Sequence, residues 1–109
     1  MTLDLEQLRD ATLDDDELMR EILAALIDDT SRQIPLLEAA IQAQDPARTK
    51  RLAHYSKGAC ANVGARAAAA ALEDLERQAA RSDFVECSAS LGRLSIELDL
   101  LRAETIPAA

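Results

Sequence analysis

The sequence is poor in aromatic residues and has a single histidine and only two cysteines. Aromatic side chains make up 2% of the 109 residues, although 49% are hydrophobic, so much of the apolar content is Leu, Ile and Ala. Residues of this kind favour helices, whereas the aromatic and β-branched residues that favour strands are scarce. The composition therefore predicts a helical protein.

Long apolar runs are also lacking. The longest, residues 22–27 and 67–72, span six residues each, whereas a membrane-spanning helix needs roughly 20. The N-terminus has no signal-peptide pattern, so we expect a soluble, cytoplasmic protein with no membrane association. Cys60 and Cys87 form no C-x-x-C pair, which predicts two buried, reduced thiols rather than a disulfide.

Acidic residues are missing from one stretch of an otherwise acidic chain. The net charge is -8, which argues against binding to nucleic acid. Residues 46–72 contain five basic side chains and no Asp or Glu, so this window carries +5 and the remainder carries -8 - 5 = -13. The window surrounds His54. It indicates either a site for an anionic group or acidic partner, or a solvated helix face that happens to be basic.

Apolar residues at helical spacing predict four helices with short connections. The first begins near Asp14, which has capping-box spacing to Glu17. A proline inside this helix predicts a kink or a break between Thr30 and Pro35. The last helix carries an apolar seam at 3-4-3-4-3 spacing, formed by Phe84, Cys87, Leu91, Leu94, Leu98 and Leu101.

These segments predict an all-α fold, an antiparallel four-helix bundle with a short N-terminal helix, as one domain over residues 1–109. Asp83 is expected to cap the last helix. A single bundle uses all the apolar stripes, so we expect a monomer. The inner face of the third helix is predicted at Leu72, Leu75 and Ala79, and the short N-terminal helix at Leu3, Leu5 and Leu8.

The helix that carries His54 has clear ends: Asp45 is a predicted N-cap, Pro46 suits the first helical position, and Gly64 suits a left-handed C-terminus. At about 100° per residue, the helix has two distinct sides. One side holds Lys50, Arg51, His54, Lys57, Gly58 and Ala61. The other side, which we expect to pack against the bundle, holds Leu52, Ser56, Ala59 and Val63.

A glycine inside a helix costs about 1 kcal/mol relative to alanine, so Gly58 needs a reason. Together with Ala61 it removes side chains beside His54 and would let another macromolecule approach the imidazole. Alternatively, Gly58 relieves crowding against a neighbouring helix. The sequence leaves both explanations open.

Several chemistries are excluded by the residues present. His54 and Cys60 point about 120° apart on one helix, so they do not form a nucleophile–base pair. One histidine and two dispersed cysteines do not make a zinc site, and no glycine-rich phosphate loop is present. An exposed imidazole acting as a nucleophile remains. Histidine is largely neutral near pH 7 and can attack an acyl phosphate without a separate base.

His54-x-x-Lys57-Gly58, followed by Ala61-Asn62-Val63-Gly64-Ala65, resembles the signature of histidine-containing phosphotransfer (HPt) domains. The resemblance covers roughly Leu3 to Leu101. Ser56 departs from the family pattern, which usually has an aliphatic residue there, and Ala59-Cys60 stand where the family often has serines.

The resemblance implies a phosphorelay intermediate without its own ATP site or cofactor. His54 would accept a phosphoryl group from the aspartyl phosphate of a receiver domain, or from a hybrid histidine kinase, and pass it to another receiver domain, which brings its own Mg²⁺. Lys57 would stabilise the phosphate. Lys50, Arg51, Gly58 and Ala61 would face the partner.

Two alternatives belong to other classes. One is a helical protein–protein interaction module without phosphotransfer, which would keep its function when His54 is replaced. The other is the dimerisation domain of a sensor kinase, but there an acidic residue usually follows the histidine, whereas Tyr55 follows His54 here.

Overall fold

The structure, a computed structural model, describes residues 15–105. This part of the chain contains no strand and four helices: α1 (Asp16–Gln42), α2 (Pro46–Asn62), α3 (Arg66–Ala80) and α4 (Phe84–Thr105). Three-residue connections make consecutive helices antiparallel, and α1 contacts both α2 and α4 while α3 contacts the same two helices. The predicted all-α four-helix bundle is confirmed. The predicted N-terminal helix at Leu3, Leu5 and Leu8 lies outside the described residues.

Helix α1 begins one residue later than predicted and is not interrupted. Its N-cap is Asp15, whose side chain accepts a hydrogen bond from the amide of Leu18 at 3.0 Å. A kink or a break was predicted before Pro35, and the break does not occur, because the helix continues through Pro35 to Gln42. Residues on both sides of the proline are buried against the bundle, and Leu37 is fully buried. This packing outweighs the one backbone hydrogen bond that proline removes.

The other predicted helix ends are confirmed. The Asp45 side chain accepts a hydrogen bond from the amide of Arg48 at 3.1 Å, and the Asp83 side chain accepts one from Glu86 at 3.2 Å. Gly64 has φ = 77°, the left-handed conformation that glycine adopts without strain. These short-range signals fix where α2 begins and ends, and therefore where His54 lies along the bundle.

The buried side of α2 is rotated from the predicted one. The buried residues of α2 are Thr49, Ala53, Ser56 and Cys60, whereas Leu52, Ala59 and Val63 are only partly buried. At 100° per residue the buried stripe turns by about 60° from its predicted centre. The small side chains of Ala53 and Cys60 form the close contact with the bundle, although they are less hydrophobic than Leu52 and Val63.

The core draws on all four helices. The predicted inner residues of α3 and the seam of α4 are buried, except that Phe84 is partly buried at the edge. Cys60 and Cys87 are free and buried, and burial raises the pKa of both thiols. None of the helices in residues 15–105 combines the length and apolar character that crossing a bilayer would require.

Candidate functional site

His54 lies in the middle of α2, on the side that faces away from the core. Its side chain is 72% exposed. Lys50, Arg51, Gly58 and Ala61, which were predicted on the same side, are also exposed. The structure thus brings the predicted site residues onto one accessible surface of α2.

A carboxylate from α3 completes this surface. The Nδ1 atom of His54 is 3.2 Å from both carboxylate oxygens of Glu76. The ammonium of Lys57 is 2.8 Å from Glu76 Oε1. Glu76 therefore holds both the imidazole and the ammonium, and it joins α2 to α3 at the site.

Burial and charge act in opposite directions on Glu76, whose side chain is only 14% exposed. Burial alone would raise its pKa, but hydrogen bonds from Lys57 and His54 outweigh it and lower the pKa below the ordinary value. The same hydrogen bond with Glu76 raises the pKa of Lys57. At neutral pH, Glu76 is thus a carboxylate and Lys57 is an ammonium ion.

Next to Lys57, a groove runs between α2 and α3. It is lined by four small residues, Gly58, Ala61, Ala69 and Ala70, and by three charged residues, Lys57, Arg66 and Glu73. The predicted partner-facing residues Gly58 and Ala61 thus lie at an apolar surface with charged neighbours. Such a surface can take an apolar side chain while charged groups around it select the partner.

The groove bears on the two explanations for Gly58. A Cβ atom built on Gly58 has no described atom within 4 Å, so a methyl group there would not crowd a neighbouring helix. The explanation by crowding inside the bundle is therefore wrong for the described residues. The open backbone of Gly58 lies on the outside of the protein, one turn from His54.

Glu76 was not among the predicted site residues. It belongs to a run of charged residues in α3 that resembles an ordinary solvated face. However, Glu76 lies four residues after Leu72 and three before Ala79, both of which are buried. A carboxylate at this spacing lies at the edge of the buried stripe, where it can reach an adjacent helix. This spacing is the signal in the sequence that could have identified Glu76 as a site residue.

The described residues do not assemble a metal centre: no three His, Cys, Asp or Glu side chains among them are close enough to hold an ion. Among the described side chains, the carboxylate that contacts His54 is that of Glu76, and it also binds the ammonium of Lys57. The arrangement suits chemistry at a ring nitrogen with a fixed negative charge behind it and positive charge beside it.

Comparisons with known proteins agree with this geometry. The family model for the Hpt domain matches residues 21–104. The crystal structure of histidine-containing phosphotransfer protein B (HptB) from Pseudomonas aeruginosa PAO1 superposes with a TM-score of 0.86 at 25% sequence identity. The match covers 95% of this chain and 90% of that one. No curated protein sequence gives a significant match. The chain therefore belongs to the Hpt domain family, the phosphotransfer carriers of two-component phosphorelays.

Proposed function

We propose that this protein is a phosphorelay intermediate that accepts a phosphoryl group on His54 and passes it to a receiver domain. The observation that carries the proposal is the exposed imidazole of His54, fixed by Glu76 and flanked by Lys57, in a chain of the Hpt domain family. The donor is the aspartyl phosphate of a receiver domain, either free-standing or part of a hybrid histidine kinase. The acceptor is the aspartate of another receiver domain.

The chemistry demands little of the protein beyond position and charge. Phosphoryl transfer depends mainly on alignment of the attacking and leaving atoms and on neutralising charge on the phosphoryl oxygens. An exposed ring on the outside of a bundle can enter the active site of another protein, whereas a buried one cannot. The partner supplies Mg²⁺, and this chain supplies the nucleophile.

Lys57 is the residue that we assign to charge neutralisation. Its ammonium binds the same carboxylate as His54, so it lies close to the ring on which the phosphoryl group would be placed. A phosphoryl group on that ring would offer new acceptor oxygens to Lys57. Charge-assisted hydrogen bonds of this kind are stronger than neutral ones.

The surface around His54 provides the docking site in this proposal. Gly58 and Ala61 offer an accessible apolar patch beside the imidazole. Lys50 and Arg51, one turn before His54, add positive charge. A receiver domain must hold Mg²⁺ and therefore presents acidic side chains near its aspartate, so its active site and this basic surface are complementary in charge.

The test uses a panel of purified receiver domains, each phosphorylated on its aspartate in the presence of Mg²⁺. Incubated with this protein, at least one should lose its phosphoryl group while the protein gains an acid-labile, base-stable phosphate. His54→Gln should abolish the gain and change stability by less than about 0.5 kcal/mol, because the side chain is exposed.

The sequence contains one histidine, so the result is unambiguous. Phosphate that persists in the His54→Gln variant, or that is stable to acid in the parent protein, would place the modification on another residue and contradict the proposal. A protein that binds receiver domains equally well with either residue but never gains phosphate would instead be an interaction module.

A further inference from the structure

Helix α4 carries a second apolar stripe, on the side that faces away from the core. Its members recur every three or four residues, so at 100° per residue they lie along one line of the helix surface. The members of this outer stripe are Val85, Ala89, Gly92, Ile96, Leu100 and Ala103, and all of them are exposed. Val85 is 80% exposed and Ile96 59%. The expectation of a monomer assumed that every apolar stripe packs inside one bundle, and the outer stripe of α4 does not.

The order of large and small residues along the outer stripe is complementary to its own reverse. When the stripe is placed against a reversed copy of itself, every large residue meets a small one. The pairs are Val85 with Ala103, Leu100 with Ala89, and Ile96 with Gly92. The two residue numbers of each pair add up to 188 or 189, so one twofold axis near residue 94 generates all of them. In a parallel pair, by contrast, each residue would meet itself.

We propose that the outer stripe of α4 binds a second copy of this chain and forms an antiparallel, twofold-symmetric dimer. Large side chains of one copy then fill the space that small residues of the other copy leave open, as close packing of two helices requires. This inference goes beyond the proposed function, because the contact involves neither His54 nor a receiver domain.

The surface beside Gly92 has the shape that this packing needs. A groove runs between α1 and α4, and its lining includes Gly92 together with Ile34 and Ile41 of α1. A Cβ atom built on Gly92 has no described atom within 4 Å, so the glycine leaves open space at the stripe. In the antiparallel pair, Ile96 of the second copy lies over Gly92 and its side chain enters this groove.

The polar residues along the two edges of the outer stripe agree with the same pairing. In an antiparallel twofold pair, each edge meets the same edge of the second copy. The axis near residue 94 places Arg93 opposite Glu97 of the second copy, and on the other edge it places the hydroxyl of Ser88 opposite the carboxylate of Asp99. Arg93 binds its own chain through one terminal nitrogen of a guanidinium that has five N–H donors. Each edge contact occurs twice, and the two copies are complementary in charge along it.

The dimer leaves the surface around His54 open. Helices α2 and α4 lie diagonally across the bundle, because each packs against α1 and α3. The outer side of α4 therefore faces away from the side of α2 that carries His54. A dimer through α4 presents its two His54 surfaces at opposite ends, where two receiver domains can bind at the same time without competing.

The size of the contact predicts a weak, reversible dimer. The outer stripe is about 27 Å long at a rise of about 1.5 Å per residue, and each copy contributes mainly one helix. Interfaces below about 1,200 Å² in total are typical of transient complexes, and the net charge of -8 on each copy opposes association. We therefore expect a monomer at a few micromolar, the concentration suited to folding and transfer experiments, and a dimer at hundreds of micromolar.

Sedimentation equilibrium between about 5 and about 500 µM measures this association. The parent should pass from monomer to dimer over the range. Ile96→Glu should weaken the association by about tenfold or more, because a carboxylate would be buried against Gly92 of the second copy. Leu36→Glu is the matched control and should dimerise like the parent, because Leu36 is an exposed leucine of α1 outside the stripe. Circular dichroism checks that both variants are folded.

Two results of this experiment would overturn the proposal. One is a parent protein that stays monomeric over the whole range, which would leave the outer stripe to a different protein. The other is equal dimerisation of the parent and Ile96→Glu, which would place the contact elsewhere on the surface.

The second measurement tests the antiparallel arrangement by disulfide cross-linking. Val85→Cys and Ala103→Cys are prepared as separate proteins, in which the new thiol is exposed while Cys60 and Cys87 are buried. Under mild oxidation at high concentration, a mixture of the two variants should form a disulfide between a chain of each kind. Either variant alone should not, because the two copies of residue 85, or of residue 103, are about 27 Å apart in the antiparallel pair. Cross-linking of one variant with itself, or none in the mixture, would overturn the proposed dimer.

Discussion

Gly58 and Gly92 line two different grooves of the bundle. Each lies inside a helix, each is exposed, and a Cβ atom built on either has no described atom within 4 Å. Gly58 lines the groove between α2 and α3 beside His54, whereas Gly92 lines the groove between α1 and α4 with Ile34 and Ile41. Within residues 15–105, neither glycine is required by internal packing, although each weakens its helix. The two glycines differ in the residues around them. Gly58 has a functional interpretation because it lies beside His54 and Lys57.

The largest difference in transfer rate between variants at the two glycines is expected when each glycine is replaced by a bulky residue. Gly58→Leu should lower the rate of phosphoryl transfer by about 100-fold, because a displacement of about 1 Å between reacting groups can have that effect. Gly92→Leu should leave the rate unchanged. Both variants should be as helical as the parent, since leucine is the better helix former. Circular dichroism and transfer kinetics with one receiver domain measure both properties.

Equal slowing by Gly58→Leu and Gly92→Leu would remove the distinction between the two grooves. It would mean that partners bind to both sides of the bundle, or that any bulky change in a helix disturbs the site.

A smaller loss of transfer rate is expected from a substitution that changes the charge of the Gly58 groove rather than its shape. Lys57→Ala should slow transfer by roughly tenfold while His54 remains phosphorylatable. Loss of a buried charge-stabilising donor costs about 100-fold or more, but this site is open to solvent that screens charge. Lys57→Arg should recover most of the rate because it keeps the positive charge. A parental rate in Lys57→Ala would show that the ammonium serves only to hold Glu76.

The ends of α2 were predictable because they depend on residues only three or four positions apart. Asp45, Pro46 and Gly64 each act on the backbone next to them, and each does what its position predicts. The exposure of His54 follows from the same local geometry. Fold class and the place of the histidine could therefore be predicted from the sequence.

Features that depend on contacts between helices were not predictable in the same way. Glu76 meets His54 across 22 residues of sequence, and only the register of α3 against α2 brings them together. Pro35 was expected to kink or break the first helix on local grounds, but packing of Leu37 and Ile41 beyond it keeps the helix continuous. In each case the outcome depends on a contact between helices that the local sequence does not specify.

A substitution on the buried side of α2 is expected to change the stability of the protein without altering the His54 surface. Ser56 is buried, and its hydroxyl has no hydrogen-bond partner among the described residues. A buried hydroxyl without a partner costs about 1–3 kcal/mol. Ser56→Ala should therefore raise the free energy of unfolding by about 1 kcal/mol, measured by urea denaturation, with an unchanged transfer rate. A lower stability would show that the hydroxyl has a partner such as a bound water molecule.

The smallest and most closely matched change is a single methyl group at each glycine. Gly58→Ala and Gly92→Ala should each raise the free energy of unfolding by about 0.5–1 kcal/mol, because alanine is the better helix former and neither methyl group meets a neighbour. Urea denaturation of the two variants should therefore give equal gains. Transfer kinetics should separate them: Gly92→Ala keeps the parental rate, and Gly58→Ala is slower than the parent but faster than Gly58→Leu. Unequal gains in stability would mean that one glycine has a structural role after all. Equal gains with equal transfer rates would limit the function of Gly58 to excluding side chains larger than a methyl group.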